Sequence, residues 1–319
     1  FVVEARLEAA FRASGRQPSR DVRSTRAVDP PPPSARDRRR RSRLYVPGDE
    51  PRYLLRAVGH RPDAIILDLE DGVHADHKAS ARILVRNALR TLDFGAAERM
   101  VRINGGDLGL EDLVAVVPEG VDLILIPKVD DPRTVVEIDE AIAAVRARTG
   151  VDRSPWLMPI IESALGIERA FEIATASERV AALTLGLEDY TADLGVVKTR
   201  TGEESLFARW RVVNVAHAAG VQAIDSIYGD VGDTEGLIAW CARSRAMGFH
   251  GMGCVHPRQI EVVQRGFAPS TAEVTMARRI VEAFEQARAG GHGVVSLDGT
   301  MIGPAVVKRA AKLLKDASE

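Results

Sequence analysis

The sequence predicts an α/β protein built on a TIM (β/α)8 barrel, followed by a C-terminal helical extension. From residue 43 onward, short apolar runs typical of strands alternate with longer segments whose apolar residues recur at helical spacing. Because parallel neighbours need a crossover connection, this alternation predicts a parallel sheet, and eight such units are the number that closes a barrel. An open doubly wound sheet is the alternative. The segment VPGDEPR after the first strand, however, has one glycine and not the phosphate-binding pattern of that fold.

The eight predicted strands are apolar runs of three to eight residues. They are Leu44–Val46, Ala64–Leu69, Met100–Ile103, Leu123–Ile126, Trp156–Ile161, Val180–Leu187, Val221–Ile224 and Gly251–Val255. Between them, the clearest helical patterns cover 77–92, 132–150 and 233–249, and each opens near an acidic residue. Residues 272–290 and 304–317 predict two further helices, joined by the glycine-rich segment AGGHGVVSLDGTMIG.

The first 42 residues differ in composition from the rest of the chain. Residues 1–43 contain twelve arginines and five acidic residues, with four consecutive prolines and four consecutive arginines. Polar segments interrupted by proline rarely pack, so we expect disorder from about residue 13 to 42, after a short helix over the first dozen residues. The predicted domains are therefore a basic N-terminal segment (1–42), a barrel (43–270) and a helical extension (271–319).

Net charge and hydropathy indicate which kinds of binding partner are not expected for this protein. The 319 residues carry a net charge of −2, so that about −9 falls on the part after residue 43, which argues against nucleic-acid binding by the barrel. No apolar run reaches the ~18 residues that indicate a membrane span, and we expect no membrane partner. Cys241 and Cys254 lack metal-ligand spacing and predict reduced, buried thiols in a cytoplasmic protein.

Ionisable side chains follow seven of the eight predicted strands. They are Asp68, Glu70, Asp71, Arg102, Lys128, Glu162, Glu188, Asp189, Asp225 and His256. In a TIM barrel the C-terminal ends of the strands form the active-site rim. The clustering of charge at this rim therefore predicts the active site there.

Glu162 and Asp189 follow adjacent predicted strands, which lie about 4.8 Å apart in a sheet. Two carboxylates at this separation can share one hard cation, and Mg²⁺ accepts one or two protein carboxylates while taking further oxygens from water and substrate. The alternative is that each acid pairs with Lys128 or Arg102, and spacing alone leaves both interpretations open. The sequence has no histidine cluster, which disfavours Zn²⁺.

Two basic residues of the rim also have two interpretations each. Arg102 has the planar fork that binds a substrate carboxylate, or it neutralises the acids after the second strand. For those acids we expect a structural network with Lys78 and Arg82 on the next helix. Lys128 is a candidate Schiff-base lysine, but the adjacent carboxylates would keep it protonated, which favours an ion pair.

Eight sequence motifs occur in the order typical of one enzyme family. They are LYVPGDEPRYLLRA, ILDLEDGV with K and AR beyond it, VRIN, LIPKV, IIESALGI, LGLEDYTADLG, AIDSIYGDVGDTEGL and GCVHPRQIEVVQRGFAPS. With these motifs the chain resembles the citrate lyase β-subunit-like branch of the HpcH/HpaI aldolase superfamily, CoA-ester lyases such as malyl-CoA and citramalyl-CoA lyases. The resemblance covers residues 43 to about 317. It implies a Mg²⁺-dependent carbon–carbon lyase of a 3-hydroxyacyl-CoA thioester, assembled as a homotrimer or homohexamer.

The resemblance also implies roles for four residues. Glu162 and Asp189 match the family's Mg²⁺ ligands, and Arg102 matches the arginine that binds the carboxylate of the keto acid. Arg52 lies where family members contact CoA. Arg102, Glu162 and Asp189 are therefore the implied catalytic residues, Arg102, Glu162 and Arg52 the implied substrate contacts, and a CoA thioester or keto acid the implied small-molecule partner.

One position departs from the family pattern. Related lyases carry GKMID-x-P near the C-terminus, and its Asp enters the neighbouring subunit's site as acid/base. This chain reads DGTMIGP, with Gly303 at that place and Asp298 five residues earlier. The alternatives are a related enzyme acting on free keto or hydroxy acids, a thioesterase, and a ligand-binding subunit without catalysis.

Overall fold

Eight parallel strands close into a barrel in the structure, a computed structural model that describes residues 2–15, 36–291 and 293–318. Each strand pairs with the next one along the chain, and the first pairs with the eighth. The strands are β1 (Ser42–Pro47), β2 (Ala64–Asp68), β3 (Glu98–Arg102), β4 (Leu123–Ile126), β5 (Trp156–Ile161), β6 (Ala182–Leu185), β7 (Gln222–Asp225) and β8 (Gly251–Cys254). The predicted TIM barrel is confirmed.

Helices follow the strands, as the alternating pattern predicts. They are α1 (Val2–Ala13), α2 (Pro51–Ala57), α3 (Lys78–Thr91), α4 (Gly106–Val116), α5 (Pro132–Thr149), α6 (Ala164–Glu168), α7 (Ala170–Thr175), α8 (Leu187–Asp193), α9 (Leu206–Ala219), α10 (Thr234–Met247), α11 (Arg258–Phe267), α12 (Thr271–Ala289) and α13 (Pro304–Ser318). The bounds of α5 follow from its caps: the Asp131 side chain accepts the Arg133 N–H, and Gly150 ends the helix at φ 70°. In the described part of the chain, no helix combines the length and apolar character needed to cross a bilayer.

Apolar side chains fill the inside of the barrel. Ile66, Met100, Leu125, Met158 and Ile224, from five different strands, are fully buried in one cluster. Burying each such side chain stabilises the fold by roughly 1.5–3 kcal/mol. The interior is therefore a packed core rather than a pore, and chemistry is confined to the rim. The two cysteines are free and buried, as predicted.

The N-terminal segment begins with a packed helix. Leu7 and Ala10 of α1 are buried, and α1 contacts α4 and α5. Arg6 of α1 pairs with Asp107 at 2.6 Å. The short helix predicted for the first dozen residues is thus present and held on the barrel. Most of the predicted disorder falls on residues 16–35, which lie outside the described residues.

Residues 36–42 differ from the predicted disorder. Arg40 is buried and forms a two-nitrogen ion pair with Glu98, with distances of 2.7 and 2.8 Å. Arg41 pairs with Asp63 at 2.9 Å. Both carboxylates lie beside the starts of strands and need a nearby cation once they leave water. Part of the arginine run therefore neutralises the buried Glu98 and the half-buried Asp63 at the base of the barrel.

A second compact unit begins at Arg265. Within it, α12 packs against α13, and an antiparallel hairpin of β9 (Val295–Leu297) and β10 (Thr300–Ile302) lies between them in sequence. Asp298 and Gly299 form its turn with positive φ values of 51° and 79°. Asp-Gly between apolar runs is a strong hairpin signal, and we predicted only a glycine-rich connection here.

Candidate active site

A cavity of about 410 Å³ opens at the C-terminal ends of the barrel strands. Its lining includes Asp68, Asp71, Arg102, Glu162, Glu188 and Asp189. Three of the four residues with predicted roles (Arg102, Glu162 and Asp189) therefore face one space, at the predicted rim. The fourth, Arg52, is exposed in the first turn of α2 and is not among the lining residues.

Three of the rim acids form a network with two basic side chains. Arg102 binds Asp68 through two nitrogens, at 2.6 and 2.7 Å, and its third nitrogen lies 3.0 Å from Glu70. Lys128 Nζ lies 2.5 Å from Glu70 and 3.3 Å from Asp71. Each of these acids thus has a cationic side chain beside it. This arrangement matches the second of the two interpretations of Arg102, in which it neutralises the acids after β2.

The predicted partners of these acids are wrong. Lys78 Nζ donates to the backbone carbonyls of Leu69 and Glu70, and Arg82 pairs with Glu111 and Asp112 on α4, both at 2.6 Å. The register explains the difference. Asp68 and Arg102 are direct cross-strand partners at the ends of β2 and β3, so Arg102 reaches Asp68 without spanning a helix.

Glu162 directly follows β5 and is 6% exposed. One of its oxygens accepts the backbone N–H of Lys128 at 2.6 Å, and no basic side chain in the described ranges pairs with it. Burial raises the pKa of Glu162 to about 7, the Lys128 N–H opposes the rise, and the charge of Asp189 adds to it. A side chain at Gly186 would place Cβ 2.3 Å from Glu162 Oε2, so glycine leaves the space that this carboxylate occupies.

Asp189 lies on a helix, whereas the sequence places it at a strand end. β6 ends at Leu185, the chain turns at Gly186, and Asp189 falls in the first turn of α8. It is half-buried and forms no ion pair with the described residues, whereas its neighbour Glu188 pairs with Lys198. The adjacency of the two elements that matter is nevertheless as predicted, because β5 and β6 are paired.

Glu162 and Asp189 fit a hard divalent cation. Both line the cavity, both offer oxygen, and neither has a cationic side chain among the described residues. No group of three or more His, Cys, Asp or Glu in the part described is arranged to hold a metal. Two carboxylates suit Mg²⁺ in particular, because it completes its shell with water and substrate oxygens.

Lys128 connects the two sets of acids. Its φ is 51°, and this backbone conformation directs its N–H to Glu162 while its side chain reaches Glu70. Burial lowers the pKa of Lys128, but the hydrogen bond and charge of Glu70 raise it more, so that the pKa lies above its ordinary value. An amine that keeps its proton is a poor nucleophile, which disfavours the Schiff-base alternative.

Asp225, another predicted rim acid, is neutralised by the buried side chain of Arg209. It is fully buried, Arg209 lies 2.5 Å from it, and Ser244 and Trp240 donate hydrogen bonds to the same oxygen. Arg209 also stacks over Trp240, with 4.3 Å from Cζ to the ring centroid. Asp225 is therefore part of the structural base of the rim.

Sequence reasoning missed Arg43. This residue lines the cavity from β1 and is 1% exposed. The available signal was alternation: Arg43, Tyr45 and Pro47 all line the cavity from inward positions of one strand. The predicted first strand begins at Leu44, so Arg43 lies just outside the run in which this alternation would be sought.

The HpcH/HpaI aldolase/citrate lyase pattern matches residues 41–257, which contain all eight barrel strands. The chain belongs to the HpcH/HpaI aldolase/citrate lyase family. The predicted resemblance is thereby confirmed, and within this family the relatives include both lyases and thioesterases.

Three curated proteins illustrate this range. The chain is 40% identical over 281 residues to the citrate lyase β subunit of Haemophilus influenzae, covering 87% of this chain and 97% of that protein. It is 33% identical over 312 residues to an L-malyl-CoA/β-methylmalyl-CoA lyase of Cereibacter sphaeroides, covering 91% and 97%. It is also 38% identical over 267 residues to a (3S)-malyl-CoA thioesterase of Cereibacter sphaeroides, covering 82% and 89%.

A solved structure shares the fold. The protein CitE of Mycobacterium tuberculosis, in complex with magnesium, acetoacetate and coenzyme A, superimposes with a TM-score of 0.75. The two chains are 29% identical, and the match covers 89% of this chain and 100% of that one. A protein of the same fold has thus been crystallised with Mg²⁺ and CoA.

Proposed function

We propose that the chain is a Mg²⁺-dependent carbon–carbon lyase that cleaves or forms a 3-hydroxyacyl-CoA thioester by a reversible aldol- or Claisen-type step. One observation carries the proposal. In the part of the chain that the structure describes, Glu162 and Asp189 face the cavity and form no ion pair with a basic side chain, while Asp68, Glu70 and Asp71 each form one. Membership of a family that contains citrate lyase β subunits and malyl-CoA lyases supports the reaction class.

Glu162 and Asp189 are the proposed metal ligands. When bound, Mg²⁺ supplies a Lewis acid that polarises an oxygen of the keto or hydroxy acid. The Lys128 N–H fixes one oxygen of Glu162, so the carboxylate is held in place before a ligand arrives. Gly186 leaves the other oxygen unobstructed on the side of α8.

Arg102 is the proposed contact for the carboxylate of the keto acid. A guanidinium has five N–H groups, and contacts to Asp68 and Glu70 engage its three nitrogens once each. Two N–H groups therefore remain for substrate. The pair with Asp68 fixes the plane of the fork, so little side-chain entropy is lost when substrate binds. Arg52, exposed on α2 beside the same rim, is the proposed contact for CoA.

Metal binding and cleavage together test this proposal. We expect wild-type protein to bind Mg²⁺ in calorimetry and to cleave malyl-CoA or citramalyl-CoA. Glu162→Gln and Asp189→Asn should weaken Mg²⁺ binding by at least about 100-fold, since even residues outside the metal shell contribute about 10–100-fold. Glu188→Gln is the matched control, because Glu188 pairs with Lys198. Full activity in excess EDTA would contradict the proposal.

Thioester hydrolysis is a second candidate, favoured by Gly303. In the second unit β10 ends at Ile302, and Gly303 has no side chain that could move a proton. The similarity to a (3S)-malyl-CoA thioesterase supports this reading. Product analysis separates the two: a lyase releases a keto acid and a shorter acyl-CoA, whereas a thioesterase releases free CoA and a hydroxy acid. Mg²⁺ and CoA binding without either product would instead indicate a ligand-binding subunit.

The oligomeric state is part of the same proposal. We propose a homotrimer or homohexamer on the basis of the family resemblance. Every copy then carries Gly303, so a proton donor from a neighbouring chain would have to be a different residue. Sedimentation equilibrium measures the assembly directly, and a monomer at micromolar concentration would contradict it.

A further inference from the structure

Arg43 is a buried cation that has no carboxylate partner within the ranges the structure describes. Its Nη2 donates to Thr184 Oγ1 and its Nη1 to Met158 Sδ, both at 3.0 Å. Its Nε has no hydrogen-bond partner among the described residues. Both acceptors are neutral, and burial of a charged group is unfavourable unless an opposite charge lies nearby.

The other buried arginines show what Arg43 lacks. In the described residues, three further arginines are at most 3% exposed, and each pairs with a carboxylate. The pairs are Arg40 with Glu98, Arg99 with Asp122, and Arg209 with Asp225. Arg43 differs from them in a second respect, because it lines the cavity. The missing negative charge can therefore be supplied from the cavity.

The depth of Arg43 indicates which part of a ligand it meets. Its partner Thr184 lies within β6, whereas Glu162 and Asp189 lie beyond the ends of β5 and β6. Arg43 is thus nearer the floor of the cavity than the proposed metal ligands. A CoA thioester is too large for a 410 Å³ cavity and must approach the keto carbon from outside. With the adjacent carboxylate proposed for Arg102 and the keto oxygen for the metal, the remaining substituent of that carbon is the part left to reach Arg43.

We propose that Arg43 binds a second carboxylate, at the far end of the keto acid, and so selects 2-oxo dicarboxylates over 2-oxo monocarboxylates. This inference rests on the proposed function. The planar guanidinium and a carboxylate form charge-assisted hydrogen bonds, which are the stronger kind. Arg43 would accordingly act as a specificity-determining residue, while Arg102, already held by Asp68 and Glu70, binds the carboxylate next to the keto group.

Oxaloacetate and pyruvate are suitable probes, because they differ only by the carboxylate on the third carbon. With Mg²⁺ present, we expect wild-type protein to bind freshly dissolved oxaloacetate about 10- to 100-fold more tightly than pyruvate, the size of one hydrogen bond to a charged group. Arg43→Met should remove this preference and leave pyruvate affinity within about twofold. Arg43→Lys should restore part of it. Arg133→Met, at an exposed arginine that pairs with Asp131, is the control.

The outcomes separate this inference from the proposed function. Equal binding of the two acids by wild-type protein, or an unchanged preference in Arg43→Met, overturns the role of Arg43 and leaves the lyase proposal standing. Failure of wild-type protein to bind either acid with Mg²⁺ overturns both. If Arg43→Met does not fold, Arg43→Lys decides, because a purely structural arginine predicts an unchanged preference between the two acids in that variant.

Discussion

Gly186→Ala tests the position of the Glu162 carboxylate without removing any proposed ligand. The added Cβ would lie 2.3 Å from Glu162 Oε2 and 2.7 Å from Glu162 Cβ, whereas ordinary contacts begin at 3.4 Å. The carboxylate must therefore move by about 1 Å. Mg²⁺ requires near-ideal geometry at about 2.0–2.1 Å from its oxygens, so a shift of this size removes Glu162 from the metal shell.

We expect the substitution to weaken Mg²⁺ binding by about 10- to 100-fold, measured by calorimetry. Overpacking should also lower the free energy of unfolding by about 1–3 kcal/mol, measured by urea denaturation. Gly59→Ala is the matched control, since nothing lies within 4 Å of a Cβ built at Gly59. Wild-type Mg²⁺ affinity in folded Gly186→Ala would show that the cation is not held at Glu162, and would refute the reasoning.

Three further predictions concern stability. Arg102→Met leaves Asp68 buried without its partner and should cost about 3–5 kcal/mol in urea denaturation; a loss below about 1 kcal/mol would contradict the network. Burial raises the pKa of the Cys254 thiol from 9.0 to about 12. As the pH rises, the unfolded chain therefore loses this proton before the folded chain does, and the free energy of unfolding falls between about pH 9 and pH 12. Cys254→Ala should show a smaller fall over that range, and an identical pH profile would argue against it. Gly299→Ala forces a residue with a side chain to adopt φ 79° in open space, so its only cost is backbone strain of about 1 kcal/mol. This strain should speed hydrogen exchange of the hairpin amides, and unchanged exchange would contradict the turn.

The barrel strands could be predicted because their burial is two-sided. β4 and β5 have the bounds that the sequence predicts, since every residue of a strand packed on both faces tends to be apolar. The sixth strand was predicted too long for the same reason. Leu187 continues the apolar run, but it begins a helix after Gly186, and apolar character alone does not distinguish a strand from a buried helical turn.

The sequence predicts which ionisable residues lie at the candidate site, but not which of them form ion pairs with each other. The sequence showed that acids and bases gather at one rim; it did not show that Arg102 lies across from Asp68 in register, or that Lys128 reaches Glu70. These choices depend on three-dimensional distances between side chains of different strands. The roles of Glu162, Asp189, Arg102 and Arg52 were implied by family resemblance, and they stay predictions until metal and ligand binding are measured.

Lys128 contributes to the rim in two separate ways, through its left-handed backbone and through the charge of its side chain. Its N–H fixes Glu162 through main-chain atoms, which every replacement except proline retains, while its ammonium sets the charge beside Glu70 and Asp71. Glycine adopts a φ of 51° without strain. Lys128→Gly therefore removes the positive charge beside Glu70 and Asp71, while the backbone N–H that holds Glu162 remains. Position 128 thus offers a way to retune the affinity of this barrel for anionic ligands independently of its geometry, during divergence within a family or by design.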